Sequence, residues 1–427
     1  MDERILRGRV LRFLRRPQGV ADIAALDYLE DGAVHIRAGR IVGVSDFADA
    51  PAGLPVTDHR PHLITAGFID AHIHFPQGQI TASWGAQLLD WLNTYTFPAE
   101  TRFADPAHAE RMATAFYDLL LRNGTTTASA FCSVHPASVD AYFAEGHRRG
   151  MRMLGGKVLM DRNAPDGLRD TPQSAHDDSA ALIARWHGKG RALYAISPRF
   201  AITSTPAQME AAGALIAAHP DCHVQTHLSE NTDEIAFACA LFPEARGYLD
   251  IYDRYGMLGP RALLGHAIHL TDPERDRIAE TGAHAIHCPT SNLFLGSGLF
   301  DESALAARGA TSGIATDIGA GMSWSMLRTG GAAYAVAQLQ KRSLDPLTAF
   351  WWITRGNAEV LGLSDRIGTL QPGTEADLVV IDSHATPDLA LRMEAASDLK
   401  DELFALLILG DDRSVVETYV GGRAARP

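Results

Sequence analysis

At 427 residues the chain exceeds an ordinary single domain, and 46% apolar with 21% charged residues is the composition of a globular protein with a large core. A net charge of −13 argues against nucleic acid or an anionic membrane as the main partner. No apolar run nears the roughly 18 residues of a bilayer span. Cys132, Cys222, Cys239 and Cys288 lie too far apart for a CxxC site or a disulfide framework, so reduced thiols and a cytoplasmic location are expected.

The opening MDERILRGRVLRFLRRPQG is arginine-rich like a transit peptide, yet it has acidic residues at once and no serine, and its alternation suits a strand. Residues 1–65 continue as short alternating stretches between turns, the pattern of a small β-unit. Residues 66–364 then alternate strand and helix signals. The strand candidates are LITAGFIDAHIHF, TTTASAFC, RMLGGKVLM, ALYAISPRF, CHVQTHLSE, ALLGHAIHL, HAIHCPTSN and TSGIATDIG. Between them lie helices such as STPAQMEAAGALIAAH, with Thr205 as cap and Pro206 in its first turn, and TDPERDRIAETG, closed by Gly282. Eight β/α units predict an α/β fold, a (β/α)8 TIM barrel. A doubly wound open sheet is the alternative, but the Gly-rich phosphate turn that would favour it is missing after the first strand. Residues 365–427 return to strands around a helical-looking stretch at 384–411. Two β-rich ends predict a small β-sandwich domain built from both termini.

In such barrels the chemistry gathers at the C-terminal ends of the strands. GFIDAHIHF (67–75) sets His72 and His74 two apart, so both imidazoles share one face of a strand. As core residues each needs its own polar partner, whereas one metal ion satisfies both. Strand four ends in Arg199, strand five in His227 and Glu230, strand six carries His266 and His269, strand seven gives His287 and strand eight Asp317. Several imidazoles and a carboxylate suit a divalent transition metal with a position open to water, whose pKa then falls to about 7. Glu230 stands where it can reach that water as general acid or base. Capping the helix NTDEIAFACALF is its other role open from position alone.

HxH on strand one, His on strands five and six and Asp on strand eight resemble the amidohydrolase superfamily, over the barrel and the split β-domain alike. Two-metal members use a carboxylated lysine on strand four, which RALYAISPRF lacks; Lys157, on strand three, is left a structural or supporting role. The resemblance therefore implies one metal per chain, Zn2+ or alternatively Fe2+. Its ligands would be His72, His74, His227 and Asp317, with His266 either a further ligand or the residue that orients the attacking water. In order along the chain, GFIDAHIHFPQ, LLDWLNTYTFPAE, RNGTTTA, GKVLMDRNAP, SPRFAITSTP, THLSEN, GHAIHL, HCPTSNLFLGSGLF and ATDIGAGMSWSML are similar to the superfamily's guanine-deaminating branch.

That likeness implies hydrolysis of guanine to xanthine and ammonia in purine catabolism or salvage. Glu230 would protonate ring N3, and Asp317 would pass a proton to the leaving amine. Gln77 and Arg199 would read the edge of the base, Trp84, Leu88 and Phe200 would wall its faces, and His227, Glu230 and Asp317 would also touch it. A homodimer is implied as well, with the apolar stretches at 350–352 (FWW) and 406–408 (LLI) as candidate contacts. Rival readings on the same scaffold are deamination of another purine, a pterin or a triazine, and dechlorination. A non-catalytic scaffold is disfavoured by the complete ligand set, and the zinc nucleobase editors, which need HxE followed by PCxxC, are excluded because the chain has HxH and no CxxC.

Overall fold

Gly67 is where the chain leaves one sheet for another, in a computed structural model that describes residues 3–85 and 87–427. Before it come β1 (Glu3–Phe13), β2 (Leu26–Arg37), β3 (Arg40–Asp46) and β4 (Val56–Ala66). After it come β5 (Phe68–His74), β6 (Thr125–Phe131), β7 (Arg152–Gly156), β8 (Val158–Leu159), β9 (Leu193–Pro198), β10 (His223–Leu228), β11 (Ala262–His266), β12 (His284–His287) and β13 (Ser312–Ile314). The chain then returns with β14 (Leu378–Ile381), β15 (Val415–Val420) and β16 (Arg423–Ala424). Gly67 has to be glycine-sized, because a Cβ there would lie 2.3 Å from Thr126 Oγ1.

The sheet from both termini runs β16-β15-β14-β4-β1-β2-β3, one hydrogen-bonded path of seven strands in place of two separate sheets. Register shifts at Gly8–Val10 let the long β1 bend. Leu6, Val34, Ile64, Leu378 and Tyr419, drawn from both halves, then meet in a single core, which gives the packing of a sandwich from one curved sheet. Its other face, through Leu11, Leu63, Val379 and Ile381, packs against helices of the larger unit.

All eight strand candidates of the middle region are strands, in the parallel order β5-β6-β7-β9-β10-β11-β12-β13, with the short β8 also pairing β9. They are covered on both faces, so stretches such as Thr125–Phe131 are buried at every residue. Among the described residues β5 and β13 share no ladder, and side chains close the gap. Asn357 Nδ2 donates to Ile69 O (2.6 Å) and Ile314 O (2.7 Å), and its Oδ1 accepts from Ile314 N at 2.9 Å. Asp317 N–H to His72 O (3.0 Å) and His74 N–H to Ile318 O (2.7 Å) complete the seam.

The surrounding helices start and stop as their sequences dictate. Thr205 caps Pro206–Ala218 by accepting from Gln208 N, and Gly282 ends Asp272–Thr281 in the left-handed conformation. The stretch 384–411 forms helices Pro387–Met393 and Leu399–Leu409, and the second packs on helices Met326–Leu339 and Pro346–Trp351. That packing buries Leu406 and Leu407, and Phe350, Trp351 and Trp352 are buried too. The apolar stretches considered for a subunit contact are thus spent inside the chain, except for Ile408. All four cysteines are free thiols, and no helix among the described residues is long and apolar enough to cross a membrane.

Candidate active site

Alternation along β5 sends Ile73 into the apolar shell and turns His72 and His74 the other way, where each Nε2 approaches Asp317 Oδ1, at 3.4 and 3.2 Å. From β10, His227 Nε2 lies 3.2 Å from His74 Nε2. At the end of β11, His266 Nε2 stands 3.4 Å from Glu230 Oε2 and 3.8 Å from Asp317 Oδ2. Ser229, His266, Ala267 and Asp317 all have φ between 48° and 66°, a left-handed conformation that costs non-glycine residues. Such strain collects where function demands a fixed side-chain direction.

The donor set fits a divalent metal. His74 Nδ1 is buried without a hydrogen-bond partner, and His72 Nε2 has only Asp317 Oδ1, at 3.4 Å. His227 Nδ1 donates to Arg199 O at 2.7 Å, and His266 Nδ1 meets Asn292 Oδ1 at 2.9 Å, so both rings turn an Nε2 lone pair inward. Burial pushes the imidazoles of His72, His74 and His227 down, His74 to about 4, which keeps them neutral. Burial alone would raise Asp317, but hydrogen bonds from His72 and His74 hold its carboxyl well below the usual range. Neutral imidazoles around a carboxylate are what zinc binds. Cys288 Sγ is also near His72, His266 and Asp317. Burial and the Asp317 charge keep it a thiol, and it donates to Ile286 O.

Glu230 is not the helix cap. Asn231 takes that place, and Glu234 closes the capping box, its Oε2 accepting from Glu230 N (2.8 Å) and Asn231 N (3.1 Å). The Glu230 side chain is left to enter the site, where Oε1 accepts from Ser297 Oγ at 3.0 Å. Burial, reinforced by the Asp317 charge, pushes its carboxyl up to about 8, so it is set to hold a proton near neutral pH.

These groups open onto a cleft whose lining divides into polar edges and apolar walls. Gln77, Arg199, His227, Glu230 and Asp317 give it polar edges, and Leu88, Trp91, Leu92, Phe200 and Leu295 give it apolar walls. Gln77 Nε2 donates to Glu100 Oε1 at 2.8 Å, and Arg199 Nη1 donates to both Glu100 oxygens at 2.8 Å. Trp84 is not brought to the cleft; it is 79% exposed. Gly85 presents only hydrogen to the Trp91 ring, where a Cβ would fall 2.3 Å from Cδ1, and Trp91 Nε1 donates to Ser83 O. That contact seats Trp91 in the wall and turns Trp84 out to solvent.

Three other residues stand apart from the cleft. His269 Nε2 bonds Ser297 O, His287 stacks on Phe300 with ring centres 4.7 Å apart, and Lys157 Nζ pairs with Asp170. Sequence reasoning assigned no role to Glu100, Trp91, Leu92, Glu234, Asn292, Leu295 or Ser297. The signal for Asn292 and Ser297 was there, two polar residues in HCPTSNLFLGSG, the short helix Pro289–Phe294 and the turn that follow a strand end.

A parallel barrel that converges imidazoles and an aspartate from the ends of four strands is the architecture of a metal-dependent hydrolase. The chain belongs to the Amidohydrolase family, whose profile matches residues 63–425. It is similar to the guanine deaminase of Escherichia coli K12, 47% identical over 97% of this chain and 95% of that one. It is also similar to a probable guanine deaminase of Deinococcus radiodurans, 36% identical over 98% of both. Among solved structures, the E. coli guanine deaminase matches with a TM-score of 0.96 at 46% identity, covering 99% of each chain. The guanine deaminase of C. acetobutylicum with guanine bound in its active site matches at 0.89 and 28% identity, covering 99% of this chain and 100% of that one.

Proposed function

We propose that this chain hydrolyses guanine to xanthine and ammonia with one zinc ion per chain, as a cytosolic enzyme of purine catabolism or salvage. One observation carries the reading. A single cleft joins His74, His227 and Asp317, with His72 against Asp317 behind them, to a protonatable carboxyl and a Gln77–Arg199 pair, in a chain 47% identical to a guanine deaminase along nearly its whole length.

His72, His74, His227 and Asp317 would hold the cation, which when bound supplies a water of pKa near 7; Fe2+ suits the same donors. The protein's own residues do the rest. Gln77 and Arg199 hold the edge of the base, and Trp91, Leu88 and Phe200 cover its faces and keep bulk water out. Glu230 gives its proton to ring N3, which makes C2 electrophilic, and regains one from the C2 hydroxyl as the carbonyl of xanthine forms. Asp317 takes a proton from the attacking water and passes it to the departing amine. His266, fixed by Asn292, orients that water or adds a ligand. A homodimer belongs to the same proposal, and its contact would lie outside the stretches 350–352 and 406–407, which are buried within the chain.

The test is release of ammonia and xanthine from guanine, run beside adenine, cytosine and a triazine, with metal content measured on the same sample. Turnover confined to guanine, with about one metal per chain, is expected. Bound metal with guanine untouched would overturn the substrate and leave the hydrolase scaffold standing.

A further inference from the structure

Glu100 lies in the helix Phe97–Thr101, fully buried and outside the lining of the cleft, yet it touches both residues that read the base. We propose that Glu100 is a positioning residue that makes Gln77 and Arg199 a matched acceptor and donor, and thereby selects a base carrying a ring carbonyl beside an N–H. The inference rests on the guanine reading above.

A glutamine amide offers two orientations of opposite meaning, and its neighbours choose between them. The Glu100 carboxylate accepts from Gln77 Nε2 at 2.8 Å. The flipped amide would set oxygen against oxygen, so Gln77 Oε1 is turned towards Gly319 N, 3.4 Å away, as an acceptor. Arg199 spends Nη1 on both Glu100 oxygens, and the Phe97 ring lies 5.7 Å from its Cζ. The guanidinium is thus fixed in plane and direction, with its other donors left for a carbonyl. One acceptor and one cationic donor side by side complement a lactam, the C=O and N–H of O6 and N1 in guanine. Glu100 also neutralises a guanidinium buried close to a cation site, where an unpaired positive charge would be costly. Its own backbone is tied down, because Ser133 Oγ donates to Glu100 O.

The comparison that reads this role is guanine against 2-aminopurine, which keeps the C2 amine and lacks O6. In Glu100→Gln, kcat/KM for guanine should fall by about tenfold or more, chiefly through KM, while that for 2-aminopurine moves by less than about threefold. If 2-aminopurine turns over too slowly, its inhibition constant serves instead. Adding Glu100→Gln to Arg199→Ala should cost little more than Arg199→Ala alone, because Glu100 acts through Arg199. Glu100→Asp, which keeps the charge but shortens its reach, should fall between wild type and Glu100→Gln and covers the case in which the glutamine variant does not fold. Equal losses with both bases, or a loss that tracks metal content and melting temperature, would overturn the proposal and make Glu100 structural. A wild type active on guanine with an unchanged Glu100→Gln removes this inference alone. A wild type inert to guanine removes the reading beneath it as well.

Discussion

Glu230 and Asp317 are two carboxyls in one cleft, and their surroundings push them to opposite protonation states. Asp317 is held low by bonds from His72 and His74, against the opposing effect of its burial. Glu230 accepts a hydrogen bond from Ser297 alone, and burial, reinforced by the Asp317 charge, takes it to about 8. Carboxyls driven apart in this way suit a division of work, and in the proposed reaction one would serve as anion and ligand, the other as proton donor. Glu230→Gln keeps the shape and removes the proton donor, so it should retain the metal and lose about 10²–10⁴ in kcat. Metal content by atomic absorption beside steady-state rates checks this, and a near-normal rate with metal in place would sink the role given to Glu230. Arg199→Ala should raise KM for guanine far more than it lowers metal content. Parallel loss of metal would show that Arg199 holds up the His227 ring through its carbonyl segment and does not read the base.

The barrel strands were legible because each is a short apolar run bounded by turn signals, and because a period of two puts His72 and His74 on one side. Strand ends could be read for the same reason, and His227, His266 and Asp317 do converge there. What could not be read depends on pairings across hundreds of residues or on loop geometry. Glu100 meets Arg199 across 99 residues, and nothing in TYTFPAETRF marks it as a carboxylate with partners. Trp84 and Trp91 are both plausible walls by spacing, and only the seating of Gly85 against Trp91 decides between them.

Asn357 is the plainest case. In GNAEV it looks like a helix start, yet it bonds Ile69 O from 288 residues away and Ile314 on both its N–H and its carbonyl. It is the stitch between β5 and β13, the strands that carry His72 and lead to Asp317. Asn357→Ala would bury one donor and two acceptors without partners, a cost of about 3 kcal/mol or more. The chemical-denaturation midpoint should drop, and the metal should be lost faster on dialysis against a chelator. A lower midpoint with unchanged metal retention would confine Asn357 to the fold and separate barrel closure from the geometry of the site.

Taken whole, the molecule must fasten a sheet made from its two ends to a barrel made from its middle, and it does so with buried charge at the end of the strands away from the cleft. Arg152, the first residue of β7, donates Nε to Glu375 Oε2 at 2.8 Å. Arg191, just ahead of β9, pairs with both Glu375 and Asp377, and Asp377 Oδ1 also accepts from Gly421 N at 2.8 Å. Asp377 O further accepts from Gly67 N, at the passage between the sheets. Burial alone would raise the Glu375 carboxyl, but Arg152 and then Arg191 hold it below its ordinary value of 4.5. A carboxyl lowered on folding stabilises fully above its unfolded pKa, and that contribution drains away as the pH falls through the folded value. Glu375→Gln leaves Arg152 without a carboxylate partner and Arg191 with Asp377 alone, so at neutral pH it should cost about 3 kcal/mol. Below about pH 4.5 the unfolded chain takes up a proton at Glu375 while the folded one does so only at lower pH, so the gap between the two proteins should narrow as the pH drops through that window. Denaturation midpoints at neutral pH and at a few steps below it measure that gap directly. A gap that stays constant would mean the lost stability is packing and not charge. The kinetic constants should be unchanged in either case, because the network lies at the opposite end of the strands from His74 and Asp317.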